Sequence, residues 1–132
     1  NRKNFQKKVE YLRSKNLKKL LNKTIIENKD FESFFQVHQP DKNDFIFLDP
    51  PYDSDFSTYA KNEFTKKDQK RLADYLTKKC KAKWMMIIKN TEYILNLYDK
   101  KGLNIQSFEK TYLVSFMNRN DKNVNHLLIM NY

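Results

Sequence analysis

Apolar residues along this chain follow two rhythms, one near helical spacing and one in short unbroken runs. Over residues 4–22, Phe5, Val9, Leu12, Leu20 and Leu21 recur near a period of 3.6 while Lys and Arg fill the positions between them. That pattern predicts an amphipathic basic helix, interrupted around residues 14–16. Thr24, Ile25 and Ile26 predict a short strand over residues 24–28, and Asp30 is placed to cap a brief helix over residues 31–35. After a polar stretch containing Pro40, Phe45, Ile46, Phe47 and Leu48 form an apolar run without alternation, as in a parallel strand covered on both faces. The strand must stop at Pro50 and Pro51, which cannot donate to a ladder.

Residues 53–64 mix Ser, Thr, Asp, Asn and Lys with Phe56, Tyr59 and Phe64, the composition of an adhesive loop. Thr65 and Asp68 predict the capped start of a helix whose Leu72, Ala73, Leu76 and Cys80 share a stripe. Trp84 to Ile88 reads as a second buried strand, residues 92–98 as a short helix, and Gly102 as its C-terminal cap. Three strand-like pieces follow, near residues 104–108, 111–116 and 126–131. The last two read as a β-hairpin with a polar basic tip over residues 118–123. Alternating strands and helices up to residue 100 predict an α/β fold with a mostly parallel sheet and a C-terminal antiparallel hairpin.

At 132 residues the chain holds one modest core. Lys and Arg number 26 against 16 Asp and Glu, giving a formal charge of +10 that favours a polyanion as partner. Nucleic acid is the expected one, and double-stranded DNA the form of it argued below. A single cysteine, Cys80, excludes a disulfide framework and a multi-cysteine zinc site, and no metal is expected. No apolar run approaches the roughly 20 residues of a membrane span, and the opening residues lack a leader pattern, so the expected location is the cytoplasm, prokaryotic or phage-type. The one glycine, Gly102, excludes a glycine-rich nucleotide loop within these residues.

The tetrapeptide Asp49, Pro50, Pro51, Tyr52 stands at the carboxyl end of a predicted parallel strand, where open α/β sheets bind ligands. A specified tetrapeptide arises by chance in roughly one chain of this length per thousand. Its residue types suit methyl transfer to an exocyclic amino group, whose lone pair is delocalised into an aromatic ring. The Asp49 carboxylate and the Pro50 carbonyl can each accept one amino hydrogen, drawing the nitrogen toward tetrahedral geometry in line with a methyl donor. Proline aims its carbonyl and brings no competing donor. Tyr52 offers a flat face to a base taken out of the duplex, worth roughly 1–3 kcal/mol against the few kcal/mol that extrusion costs.

These four residues, followed by Phe56, Tyr59, Phe64, Asp68, Gln69 and Leu72, resemble the Dam-type (DpnM-like) site-specific DNA adenine-N6 methyltransferases. Asn28, Asp30 and Phe31 ahead of them, Asn90 after the second strand, and the closing residues 127–132 share that family's spacing. The resemblance spans residues 24–132. It implies a Rossmann-like methyltransferase sheet, S-adenosyl-L-methionine as methyl donor and duplex DNA as substrate. It also implies that Asp30 and Phe31 border the adenine of the donor, with Asp49 near its methionine end, and that residues 53–64 close over the flipped base. Phe56, Tyr59, Lys61, Asn62 and Arg119 would then contact DNA. Phe31 reads equally as core and Arg119 as a solvated turn residue.

Enzymes of that family carry a Phe-x-Gly-x-Gly loop near their start, and this chain has no such loop. Residues 24–132 are therefore expected to be the C-terminal part of the catalytic domain. Residues 1–23 are expected to be a basic helical remnant of the target-recognition region. A missing N-terminal half would carry the glycine loop and two strands between those near Thr24 and Phe45, leaving the first strand without a neighbour and the isolated chain inactive. Two alternatives remain open at this point: a ribosomal RNA guanine-N2 methyltransferase, which can carry a similar tetrapeptide, and an inactive basic DNA-binding remnant.

Overall fold

The computed structural model describes residues 2–52, 64–111 and 123–132. Two compact units divide it, residues 1–30 and 31–132. The first holds helices α1 (Arg2–Arg13) and α2 (Lys15–Leu21). The expected break falls at Ser14, whose extended backbone (φ −64°, ψ 144°) leaves the helix and whose hydroxyl accepts the Leu17 N–H at 3.2 Å. The strand expected over residues 24–28 does not form. Thr24 closes the helix end instead, its hydroxyl donating to the Leu20 carbonyl at 2.9 Å, and Ile25 and Ile26 stand exposed. A strand without a ladder partner leaves its backbone groups to water, so nothing holds these residues extended in pairs.

The second unit runs α3 (Phe31–His38), β1 (Phe45–Leu48), α4 (Lys66–Lys78), β2 (Lys83–Lys89), α5 (Glu92–Tyr98), β3 (Asn104–Thr111) and β4 (Asn123–Met130). Helix α3 extends past the expected five residues and ends at Gln39, which takes a left-handed φ of 42° and returns its N–H to the Phe35 carbonyl at 2.9 Å. Helix α4 begins as its sequence predicts, with the Asp68 carboxylate receiving both the Thr65 N–H (2.9 Å) and the Thr65 hydroxyl (2.6 Å). Helix α5 starts on Thr91, whose hydroxyl accepts the Ile94 N–H. Gly102 is not the cap expected of it. The helix closes at Asp99, and Gly102 sits three residues beyond, in the turn to β3, where φ is +93°.

The four strands lie in the order β1-β2-β4-β3. Only β1 and β2 are parallel, while β2–β4 and β3–β4 are antiparallel, so the described sheet is mixed rather than mostly parallel. The expected hairpin is also redrawn. Strand β3 runs unbroken to Thr111 and pairs along its whole length with β4, Asn104 opposite Met130 and Thr111 opposite Asn123. Of the piece expected at 111–116, all but Thr111 lies outside the described residues, as does most of the hairpin tip.

Register puts the core on one face. Met86 lies opposite Ile129 and Ile88 opposite Leu127, and these four join Trp84, Phe35, Leu72, Leu76, Ile94 and Tyr98 in a single buried cluster. Helices α3, α4 and α5 therefore cover this face. The Asn131 side chain secures its lower edge, accepting the Trp84 N–H at 2.8 Å and donating to the Ala82 carbonyl at 3.0 Å. On the opposite face Phe45 and Phe47 are 54% and 55% exposed. The unalternated run of β1 is thus covered on one side only among the described residues, against the expectation of burial on both. No described helix is long and apolar enough to cross a membrane.

Candidate active site at the carboxyl end of the sheet

Strands β1 and β2 run in parallel, and the chain leaves β1 directly into Asp49, Pro50, Pro51 and Tyr52. The antiparallel β4 brings its own beginning to the same end, His126 lying opposite Lys89 and the Asn90 N–H bonding the Asn125 carbonyl at 2.9 Å. The tetrapeptide thus leaves the carboxyl end of β1, and Tyr52 meets His126 at that end of the sheet, the place such sheets use for ligands.

Two fully buried side chains hold the tetrapeptide from behind. Gln69, in the first turns of α4, donates from Nε2 to the Pro51 carbonyl at 2.7 Å. The orientation of its amide follows from chemistry, because a carbonyl can only accept. Its other atom, Oε1, is buried with no hydrogen-bond partner. The second is His126, whose Nε2 lies 3.0 Å from the Tyr52 hydroxyl and whose Nδ1 lies 3.0 Å from the Val124 carbonyl. Its ring meets Tyr52 edge-on at 5.4 Å and stacks on Phe108, its cross-strand neighbour, at 5.5 Å and 24°.

Two further acceptors of the tetrapeptide meet no donor among the described residues. Asp49 is exposed, and no ion pair or side-chain hydrogen bond engages its carboxylate among the described residues. The Pro50 carbonyl likewise meets no donor among them. With the Pro51 carbonyl occupied by Gln69, the open acceptors of side chain and proline are the pair singled out from the sequence.

The other expected site residues divide. Phe31 is half-buried in a separate aromatic group, 5.9 Å from the Phe64 ring and 6.4 Å from Phe35, with the Arg71 guanidinium 5.0 Å over its face. Arg71 is held there by Glu32 (2.6 Å) and Asp68 (2.8 Å). Asp30 is the exposed residue immediately before α3. Phe56, Tyr59, Lys61, Asn62 and Arg119 lie outside the described residues. No group of three or more metal-ligating side chains occurs among the described residues. Burial pushes the Cys80 thiol upward in pKa, away from the thiolate form.

The sequence marked Gln69 only as part of a pattern and gave His126 no role. The available signal for His126 was a polar residue at the start of an otherwise apolar strand, Leu127 to Met130. Gln69 carried none beyond standing next to the capping Asp68.

Comparison with known proteins gives a family match over most of the chain. The model for "D12 class N6 adenine-specific DNA methyltransferase" matches residues 1–114. Type II methyltransferase M.CviBI of Paramecium bursaria Chlorella virus NC1A is 39% identical over 116 residues, which is 86% of this chain and 43% of the relative. Type II methyltransferase M.MjaIII of Methanocaldococcus jannaschii is 32% identical over 126 residues, 89% of this chain and again 43% of the relative. The chain thus spans less than half the length of either.

Proposed function

This chain belongs to the D12 class N6 adenine-specific DNA methyltransferases, and from that premise we propose that it supplies the acceptor pair for methylating the N6 amino group of an adenine flipped out of duplex DNA. The observation that carries this is the pairing within the tetrapeptide: Gln69 takes the Pro51 carbonyl, while the Asp49 carboxylate and the Pro50 carbonyl meet no donor among the described residues. Two acceptors on consecutive residues match the two hydrogens of one amino group. By accepting both they pull the nitrogen lone pair out of conjugation and aim it, with no prior deprotonation. The target adenine would lie against the face of Tyr52.

S-adenosyl-L-methionine, the methyl donor such enzymes use, supplies an electrophilic methyl group. The residues present fit part of its site. The exposed Asp49 carboxylate can receive the hydrogens of an ammonium group, and with Asp30 and Phe31 would hold the donor. The Arg71 guanidinium occupies one face of Phe31, and Phe35 and Phe64 also pack against the ring. The one glycine is committed to the turn before β3, so the glycine loop is assigned to the portion of the full-length protein beyond this chain. The open side of β1, with Phe45 and Phe47, is the surface that portion would cover. Lys61, Asn62 and Arg119 would bind phosphates, Phe56 and Tyr59 would close over the base, and residues 1–23 would serve target recognition.

The test is transfer of label from tritiated S-adenosyl-L-methionine by the full-length protein, on unmethylated duplex DNA and on ribosomal RNA in parallel. The expected outcome is label in DNA at adenine N6, abolished by Asp49→Ala with DNA affinity largely retained. Label in RNA alone, or an active Asp49→Ala enzyme, would overturn the assignment. DNA binding without transfer would identify an inactive remnant.

A further inference from the structure

The geometry points to His126 as a positioning residue that fixes the base-stacking ring of Tyr52, through a hydrogen bond whose direction the protein has set in advance. This rests on the role assigned above to the tetrapeptide. His126 is 0% exposed, and its two ring nitrogens meet the Tyr52 hydroxyl and the Val124 carbonyl, each at 3.0 Å. A carbonyl only accepts, so Nδ1 must carry the proton. In the neutral ring Nε2 is then an acceptor, and the Tyr52 hydroxyl must donate to it.

The consequence is mechanical. Tyr52 follows two prolines beyond the last paired residue of β1, Leu48. Its ring is pinned at the far end, at the para oxygen, to a side chain rooted in β4, an inner strand of the sheet. His126 is itself fixed, stacked on Phe108 and paired across the strands with Lys89 and Phe108. Pinned at Cα and at oxygen, the ring keeps its long axis, and the edge-on packing against His126 at 5.4 Å limits its rotation about that axis. A flat surface held before the base arrives loses less freedom when the base stacks on it. Gln69 performs the matching task on the Pro51 carbonyl, so the tetrapeptide is held at two points.

Three substitutions in the full-length protein test this, with turnover on unmethylated duplex DNA, thermal midpoint and imidazole nitrogen NMR as readouts. His126→Leu keeps the bulk and removes the acceptor. His126→Gln sets an amide oxygen near the position of Nε2. Tyr52→Phe removes the hydroxyl and opens no cavity. The expected result is a fall in kcat of about ten- to a hundredfold for His126→Leu, with most of it restored by His126→Gln at a similar thermal midpoint. Tyr52→Phe should fall by a comparable factor, and the double variant His126→Leu with Tyr52→Phe no further than either single one, because both delete the same bond. Nitrogen shifts should show His126 protonated at Nδ1.

Losses that multiply in the double variant, a Gln variant no better than Leu at equal stability, or a proton found on Nε2 would overturn the proposal. Should His126→Leu fail to fold, Tyr52→Phe and the tautomer decide alone, and full turnover by Tyr52→Phe would overturn it. Asp49→Ala run alongside separates two failures. An inert Asp49→Ala beside a fully active His126→Leu removes only the role of His126, whereas an active Asp49→Ala removes the reading of the tetrapeptide beneath it.

Discussion

Replacing Gln69 with Met should separate stability from activity. Gln69 is 0% exposed, its Nε2 bonded to the Pro51 carbonyl and its Oε1 buried without a partner. Met has a similar length and no polar atoms. The lost hydrogen bond is worth about 0.5–1.5 kcal/mol, and the low end applies because exposed Pro51 can bond to water instead. Removing an unpaired buried oxygen returns about 1–3 kcal/mol. The balance lies between neutral and about 2 kcal/mol in favour of the variant, a rise in thermal midpoint of up to several degrees. Turnover should move the other way. Freed from Gln69, the Pro51 carbonyl, one peptide beyond that of Pro50, loses its anchor, and a displacement near 1 Å at a reacting group costs on the order of a hundredfold. Urea unfolding and label transfer on the same preparation measure both quantities. A Gln69→Met protein destabilised by more than about 2 kcal/mol, or one that turns over at the parent rate, would refute this account of Gln69.

Thr65→Val should cost about 1 kcal/mol at neutral pH by breaking the cap of α4. The Thr65 hydroxyl, and then its N–H, hold the Asp68 carboxyl below its ordinary 3.8. A carboxyl depressed in the folded state adds stability above its unfolded pKa and loses it as pH falls through the folded value, so the gap between variant and parent should close in urea unfolding as pH drops below 3.8. Gly102→Ala should lose about 1–2 kcal/mol from the backbone alone, since φ is +93° and a new Cβ would meet nothing within 4 Å; thermal unfolding at parent stability would show that the turn tolerates it. Asp49→Asn, which keeps one acceptor oxygen, should retain more activity than Asp49→Ala, with a loss of about a hundred- to a thousandfold. Equal losses in label transfer would instead indicate that Asp49 removes a proton.

What the sequence disclosed followed how local each signal was. The helix break at Ser14, the cap formed by Thr65 and Asp68, and the stop of β1 at Pro50 depend on residues within four positions of one another, and each occurs where expected. The errors came where a distant partner decided. Thr24, Ile25 and Ile26 have the composition of a strand but no described strand beside them. The choice of hairpin partners turned on pairing, and the observed register reaches back to Asn104, which the local alternation around Thr111 concealed. The run in β1 looks covered on both sides because apolar content records what a residue is suited to meet, not what meets it here. The chemistry proposed for the tetrapeptide rests on four adjacent residues, whereas the contact of His126 with Tyr52 spans 74 positions and left no local signal.

The first turns of α4 explain why a pattern downstream of the tetrapeptide accompanies it. Asp68 closes the helix start, Gln69 holds the Pro51 carbonyl, Arg71 lies over Phe31, and Leu72 enters the core at 2% exposed. Four residues within five consecutive positions thus bind the helix cap, the tetrapeptide, an aromatic group and the apolar cluster. Helical geometry allows it, because residues 68, 71 and 72 share a side and 69 is turned about 100° from 68. A shift of α4 by even one residue would exchange these duties and leave the Pro51 carbonyl facing a charged or aliphatic side chain. The core contacts of Leu72 and Leu76 therefore fix the helix register, and that register places Gln69 on the Pro51 carbonyl: packing free energy contributed by apolar residues is what holds that hydrogen bond in position.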